Sequence, residues 1–175
     1  PIDFVRRGQA FKVGNATVEV LYPRADPSPD APSDNNHSVV LRIVYGDRAF
    51  LLTGDIEQAT EFELVNGGGI LAADVIKVPH HGSRTSSTQE FIDAVHPEYS
   101  IISVGRHSSF GHPHREVVDR WRDAGTNVLT TGESGMISVS SDGKDLVLED
   151  LVSAKLTCSD QDGIGKLLQP LCLFQ

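Results

Sequence analysis

Several features that often point to a function class are scarce in this sequence of 175 residues. Its two cysteines, Cys158 and Cys172, are too few to define a disulfide framework or a redox compartment. Its apolar runs are far shorter than the ~20 residues of a membrane-spanning helix, and no apolar run after a basic stretch indicates a signal peptide. We therefore expect no transmembrane segment. Because the chain opens with Pro1 rather than Met, we interpret it as part of a longer protein.

Common motifs of covalent and nucleotide chemistry are missing too. The sequence has no G-x-S-x-G, no P-loop and no G-x-G-x-x-G, and the run Gly67-Gly68-Gly69 lacks the Lys-Ser/Thr of a phosphate loop. Covalent catalysis is therefore not indicated. The net charge of −9 also argues against bulk attraction to nucleic acid, so any such binding has to rest on local basic residues.

The alternation of apolar and polar residues predicts one α/β domain over residues 1–150. A loop rich in Pro and Asp follows the first predicted strand, and Gly46-Asp47 indicates a hairpin. Residues 151–175 fit no element and form an unmatched tail. Strands are predicted at 17–21, 38–44, 48–53, 74–78, 99–104, 127–131, 135–140 and 146–149, and helices at 56–65, 88–95 and 115–124.

Asp55, in L-L-T-G-D-I-E, is the first candidate functional residue, because it lies between a predicted strand and a predicted helix. One interpretation is a helix N-cap, since aspartate accepts hydrogen bonds from the first N–H groups of a helix. The other is a metal ligand, because a carboxylate after a strand end points to the crevice where α/β sheets hold their sites.

The segment V-P-H-H-G-S offers the second candidate. Imidazole is a common metal ligand, and adjacent histidines in an extended segment point in different directions, so one of His80 and His81 would bind metal and the other would contact substrate. Gly82 allows a tight turn, and Ser83 offers a hydroxyl to an anionic substrate. The alternative is a pair of solvated loop histidines.

A third cluster, G-H-P-H, contains His112 and His114 between a strand and a helix. Pro113 and His114 are equally consistent with a helix start. All three clusters follow predicted strands, so one crevice can gather them. His37, His96 and His107 lack such a context and are interpreted as surface or turn histidines.

Together, the blocks N-N-H-S-V-V-L-R-I, L-L-T-G-D-I-E, A-D-V-I-K-V-P-H-H-G-S, I-I-S-V-G and G-H-P resemble the metallo-β-lactamase-like domain of the ComEC family of DNA-uptake proteins. The match runs from residue 8 to residue 149 and covers the later half of that domain. The resemblance implies an αββα sandwich, of which this chain is the C-terminal half, with a metal site at one edge of its sheets. It also implies a soluble domain of a bacterial inner-membrane protein, partnered by the rest of a membrane channel.

By the same resemblance, Asp55 and one of His80 and His81 bind a divalent metal, Zn or Mn, while Ser83 and His112 contact substrate. The family's main ligand motif, of the type His-x-Asp-x-Asp-His, does not occur in this sequence. The main hypothesis is a metal-dependent hydrolase of phosphodiesters that acts on single-stranded DNA in competence, provided that the missing ligands are supplied. The alternatives are a non-catalytic half-domain of a DNA-uptake channel and a hydrolase of a small ester or lactam. Any DNA binding is expected to be weak and salt-sensitive, through Arg84, Arg106 and Arg115.

Overall fold

A mixed sheet of seven strands organises the chain in the computed structural model, which describes residues 5–24 and 34–152. The first four strands are antiparallel and the last four, β4 to β7, are parallel. Their spatial order follows the chain: β1 Ala10–Val13, β2 Ala16–Tyr22, β3 Val40–Tyr45, β4 Arg48–Leu52, β5 Val75–Lys77, β6 Tyr99–Ile102 and β7 Asn127–Thr130. A separate hairpin consists of β8 Ile137–Ser141 and β9 Leu146–Asp150.

Three helices occupy the crossovers between the parallel strands: α1 Gln58–Asn66, α2 Gln89–Val95 and α3 Arg115–Asp123. A short helix, α4 Thr131–Ser134, follows β7. The core lies between these helices and one face of the sheet, where Leu51, Ile76, Phe91 and Trp121 are fully buried. Parallel strands require such crossovers, and burial of alternate strand residues beneath the helices provides most of the apolar stabilisation.

The predicted elements are confirmed apart from small shifts of their ends. The hairpin turns at Gly46, whose φ of 58° lies in the left-handed region that glycine adopts without strain. Strand β1 was not predicted, because all four of its residues are exposed and the pattern of burial that identifies a strand is absent there. Most of the predicted Pro/Asp loop and the tail from residue 153 onward, with Cys158 and Cys172, lie outside the described residues.

The interpretation of Asp55 as a helix N-cap is wrong. Helix α1 begins at Gln58, and its N-cap is Glu57. Asp55 lies two residues earlier, in the loop that leaves β4. Its carboxylate is therefore available for contacts with the neighbouring loops.

The second face of the sheet is less well covered than the first. Leu52 is exposed while its neighbour Leu51 is fully buried, and Phe11 and Val39 are exposed as well. Because exposed apolar surface favours association, we expect this face to promote self-association of the chain. Among the described helices, none combines the length and apolar character that crossing a bilayer requires.

Candidate functional site

Asp55 and His81 meet at the carboxyl-terminal edge of the parallel strands. Strands β4 and β5 are parallel neighbours with Leu52 opposite Lys77, so the loops that follow them leave the sheet at the same edge. The His81 Nε2 atom lies 3.5 Å from the Asp55 Oδ1 atom. The two residues that sequence reasoning selected from separate motifs are thus direct neighbours.

The histidine segment is a 3-10 turn, Pro79–Gly82, and not the extended segment that was expected. His80 and His81 both adopt left-handed backbone conformations, with φ of 48° and 53°. Such conformations cost about 1–2 kcal/mol per non-glycine residue, so surrounding contacts have to maintain them. One such contact is the hydrogen bond from the His80 backbone N–H to the Gly54 carbonyl, at 3.3 Å. The expectation that the two rings point in different directions is nevertheless correct.

His81 is oriented by the loop after β6. Its Nδ1 atom lies 2.6 Å from the Ser103 carbonyl oxygen, which accepts hydrogen bonds only, so Nδ1 carries the hydrogen. In the neutral ring, Nε2 then presents a lone pair to the Asp55 carboxylate. Two acceptors at this distance repel each other unless a proton or a cation lies between them. A carbonyl that fixes the far nitrogen of a histidine is the usual arrangement around metal-binding imidazoles.

His80 belongs to a different group of side chains, centred on Glu57. Its Nδ1 atom lies 3.4 Å from the Glu57 Oε1 atom and 3.3 Å from the Thr85 hydroxyl, which donates to the same Oε1 at 3.0 Å. The Asn35 side-chain amide is 3.4 Å from this oxygen as well. Sequence reasoning missed Glu57, although its position two residues after Asp55 places it in the same loop.

The N-N-H-S segment holds the Asp55 loop in place. The buried Asn36 side-chain oxygen accepts the Glu57 backbone N–H at 3.1 Å and the Thr60 hydroxyl at 2.9 Å. The Ser38 hydroxyl accepts the Asp55 backbone N–H at 3.0 Å. These hydrogen bonds fix both ends of the short path between β4 and α1, and with them the direction of the Asp55 carboxylate.

Lys77 is a second residue that sequence reasoning missed. Its Nζ atom donates to the Gly54 carbonyl at 3.1 Å and lies 3.6 Å from the Asp55 Oδ1 atom. Burial lowers the pKa of Lys77, although the Asp55 carboxylate acts in the opposite direction. The ammonium thus stabilises the position of the Asp55 loop.

The G-H-P-H segment lies against the histidine turn. The His112 ring is 5.7 Å from the His80 ring and 5.0 Å from the His114 ring, measured between centroids. A Cβ atom on Gly82 would lie 2.7 Å from the Pro113 Cβ, so only glycine permits this approach. Burial, and then the neighbouring His114, His80 and His81, lowers the pKa of His112 and favours its neutral form.

The remaining predicted residues lie close by. Ser83 is 6% exposed, and its hydroxyl is 3.1 Å from the Thr85 hydroxyl within the same loop. Its role in substrate binding stays a prediction. Of the three arginines expected to contact DNA, Arg84 pairs with Glu116 and Arg115 with Asp119, whereas Arg106 donates to the Gly132 carbonyl.

The Asp55 and His81 pair fits part of a metal site. Two atoms bound to one tetrahedral metal at about 2.0–2.2 Å are about 3.3–3.6 Å apart, which matches the observed 3.5 Å. Over residues 5–24 and 34–152, however, no three His, Cys, Asp or Glu side chains are arranged to hold a metal ion. The described residues thus bring fewer candidate ligands together than the three that a catalytic zinc ion normally takes.

Residues 26–107 match the family described as the metallo-beta-lactamase superfamily, and this match includes Asp55, His80 and His81. The chain belongs to that superfamily. The mixed sheet with its helices agrees with this assignment, and the predicted fold class is confirmed.

Relatives of this metallo-β-lactamase domain are competence proteins of the ComEC family. The chain is 38% identical over 78% of its length to ComE operon protein 3 of Bacillus subtilis, of which the match covers 17%. It is 43% identical over 59% of its length to competence protein ComA of Neisseria gonorrhoeae, covering 15% of that protein. It is 36% identical over 62% of its length to recombination protein 2 of Haemophilus influenzae, covering 14%. The chain thus spans less than a fifth of the length of these relatives.

Proposed function

We propose that this domain is a metal-dependent phosphodiesterase that acts on single-stranded DNA during its uptake. The observation that carries the proposal is the contact between the Asp55 carboxylate and the His81 imidazole, whose far nitrogen is fixed by the Ser103 carbonyl. Imidazole with carboxylate suits Zn²⁺ and Mn²⁺ alike. The role in DNA uptake is supported by the names of the relatives, which are a ComE operon protein, a competence protein and a recombination protein.

Asp55 and His81 would hold the metal, which would supply Lewis-acid activation of water and stabilisation of negative charge on a phosphate. Lys77 and Ser38 keep the Asp55 loop in position, and Ser103 keeps the His81 ring turned toward Asp55. His112 lies beside His80, and its lowered pKa favours the neutral imidazole, which can donate a hydrogen bond to a phosphate oxygen. We assign Ser83 to the same task through its hydroxyl.

The proposed site needs at least one further ligand. We expect it to come from a His-x-Asp-x-Asp-His segment, which this sequence does not contain. The 175-residue chain alone should therefore bind metal weakly and hydrolyse no DNA. In the larger assembly, we propose that the domain serves the membrane channel of a bacterial uptake protein.

A second candidate is a non-catalytic part of the same uptake channel. The observation in its favour is that no three His, Cys, Asp or Glu side chains of the described residues are arranged to hold a metal ion. Once the missing motif is supplied, the phosphodiesterase should hydrolyse DNA in the presence of metal, whereas the non-catalytic domain should not.

Calorimetric titration of the chain with Zn²⁺ and with Mn²⁺ tests the metal ligands. Asp55→Asn and His81→Ala should each weaken binding about 10-fold or more, a loss at least as large as that from removing a supporting residue. His96→Ala is the matched control, because His96 lies exposed at the end of α2. Equal affinities in all four proteins would contradict the assignment.

A nuclease assay with Mn²⁺ on single-stranded DNA tests the activity. We expect no turnover by the chain alone, turnover by a longer protein that carries the His-x-Asp-x-Asp-His segment, and loss of that turnover in its Asp55→Asn variant. Inactivity of the longer protein would favour the non-catalytic candidate. Turnover by the chain alone that disappears in Asp55→Ala would show that the two-ligand description of the site is wrong.

A further inference from the structure

A cleft of about 500 Å³ opens beside the Asp55 and His81 pair. The loop that connects β6 to α3 forms one wall, and Thr131 at the start of α4 contributes to another. His81 and His112 line the cleft and connect it to the candidate metal site. A ligand in this cleft would therefore lie next to the Asp55 and His81 pair that is proposed to hold the metal.

The lining of this cleft differs from the rest of the molecule in charge. The whole chain carries a net charge of −9. Of the ten described residues that line the cleft, none is Asp or Glu, three are histidines and four have hydroxyl side chains. Imidazoles and hydroxyls donate hydrogen bonds to phosphate oxygens, whereas carboxylates repel them. The composition thus suits an anionic ligand at this one place.

Phe110 adds an apolar flat surface to the same cleft. Its side chain is 80% exposed, although burial of a phenylalanine ring stabilises a folded protein. The ring is stacked with the His112 imidazole, with centroids 6.0 Å apart and planes inclined by 29°. Both rings line the cleft. A flat aromatic ligand would cover the exposed Phe110 face.

We propose that this cleft binds one nucleotide of a single DNA strand, with its base stacked on Phe110 and its phosphate directed toward His112. The identification of the ligand as DNA rests on the proposed function. The stacked rings and the absence of acidic lining argue for a ligand with both an aromatic ring and a negative charge. Because every base has a π-face, the contact would favour single strands without preference for sequence.

Fluorescence anisotropy with two labelled strands of equal length tests this proposal, one of thymidylate and one abasic. Measurements are made in EDTA, so that binding does not depend on the metal. Base stacking contributes about 1–3 kcal/mol, so wild type should bind the thymidylate strand about 5- to 150-fold more tightly than the abasic strand. Phe110→Leu should remove this preference and leave the abasic affinity unchanged. Phe110→Trp should keep the preference, with quenching of its indole fluorescence by the bases.

Phe62→Leu is the matched control, because Phe62 on α1 is 70% exposed and does not line the cleft. The proposal is overturned if wild type binds both strands equally or neither, if Phe110→Leu retains the preference, or if Phe62→Leu loses it. The Asp55→Asn variant distinguishes nucleotide binding from hydrolysis, because Asp55 is a proposed metal ligand and does not line the cleft. If the base preference depends on Phe110 while the longer protein that carries the His-x-Asp-x-Asp-His segment shows no metal-dependent turnover, nucleotide binding is supported and the hydrolase proposal fails. Metal-dependent turnover with no effect of Phe110 on binding would support the hydrolase proposal and overturn nucleotide binding in the cleft.

Discussion

Replacing Glu61 should loosen the loop that carries the two histidines. Glu61 lies on α1 with 0% of its side chain exposed, and its carboxylate accepts the backbone N–H groups of Ser87 at 2.5 Å and Thr88 at 2.8 Å. These two residues end the loop between the histidine turn and α2. The hydrogen bonds therefore fasten the far end of the histidine loop to the helix that follows Asp55.

The size of the effect follows from these two contacts. Glu61→Ala leaves two backbone N–H groups without their acceptor, and each such loss costs about 1–3 kcal/mol. Removal of a buried carboxylate offsets part of this, so we expect a loss of about 3 kcal/mol in the free energy of unfolding. For a chain of this size, about 3 kcal/mol lowers Tm by about 6–12 °C. Glu61→Gln retains the volume and one acceptor, and should cost about half as much.

The stability of these variants should also differ in its dependence on pH. Burial raises the pKa of Glu61 above its ordinary value of 4.5, although the two N–H groups act in the opposite direction. Above pH 4.5 the folded protein then binds more protons at this site than the unfolded chain does, so the contribution of Glu61 to stability falls as pH rises toward the folded pKa. The deficit of Glu61→Gln relative to wild type should therefore shrink with rising pH.

Thermal unfolding followed by circular dichroism, at several pH values from 4 to 8, measures both effects. A Tm of Glu61→Ala within about 2 °C of wild type would refute the reasoning, since that corresponds to less than about 1 kcal/mol. So would a difference between Glu61→Gln and wild type that stays constant or grows with pH.

Three further outcomes follow from the structure. Asn36→Ala removes an acceptor shared by two donors and should lower the free energy of unfolding by about 2 kcal/mol, measured by denaturant unfolding. An unchanged denaturant midpoint would contradict this. Gly82→Ala should destabilise more than Gly68→Ala by about 1–3 kcal/mol, because both have positive φ but only the Gly82 Cβ would meet Pro113; equal losses would exclude that contact. The logarithm of the DNA binding constant should fall with the logarithm of the salt concentration, with a slope of about −0.7 per neutralised phosphate. Tight binding that is insensitive to salt and to chelator would exclude binding through local basic residues and metal.

The order and type of most elements, although not of β1 and α4, and the residues of the two main motifs could be predicted from the sequence alone. Strand alternation at 17–21, the Gly46 turn and the helical pattern before Gly67 are local features, and local features determine most element positions. The blocks around Asp55 and His81 also identified the superfamily before their geometry was known.

Only the tertiary structure decided which side chains meet. Asp55 contacts His81 because β4 and β5 are parallel neighbours, while the left-handed turn directs His80 to Glu57 instead. The contribution of Lys77 likewise depends on a strand register that brings its ammonium to the Gly54 carbonyl. These contacts join residues more than 20 positions apart in the sequence, and distances across such separations follow from sheet pairing and packing rather than from any local pattern.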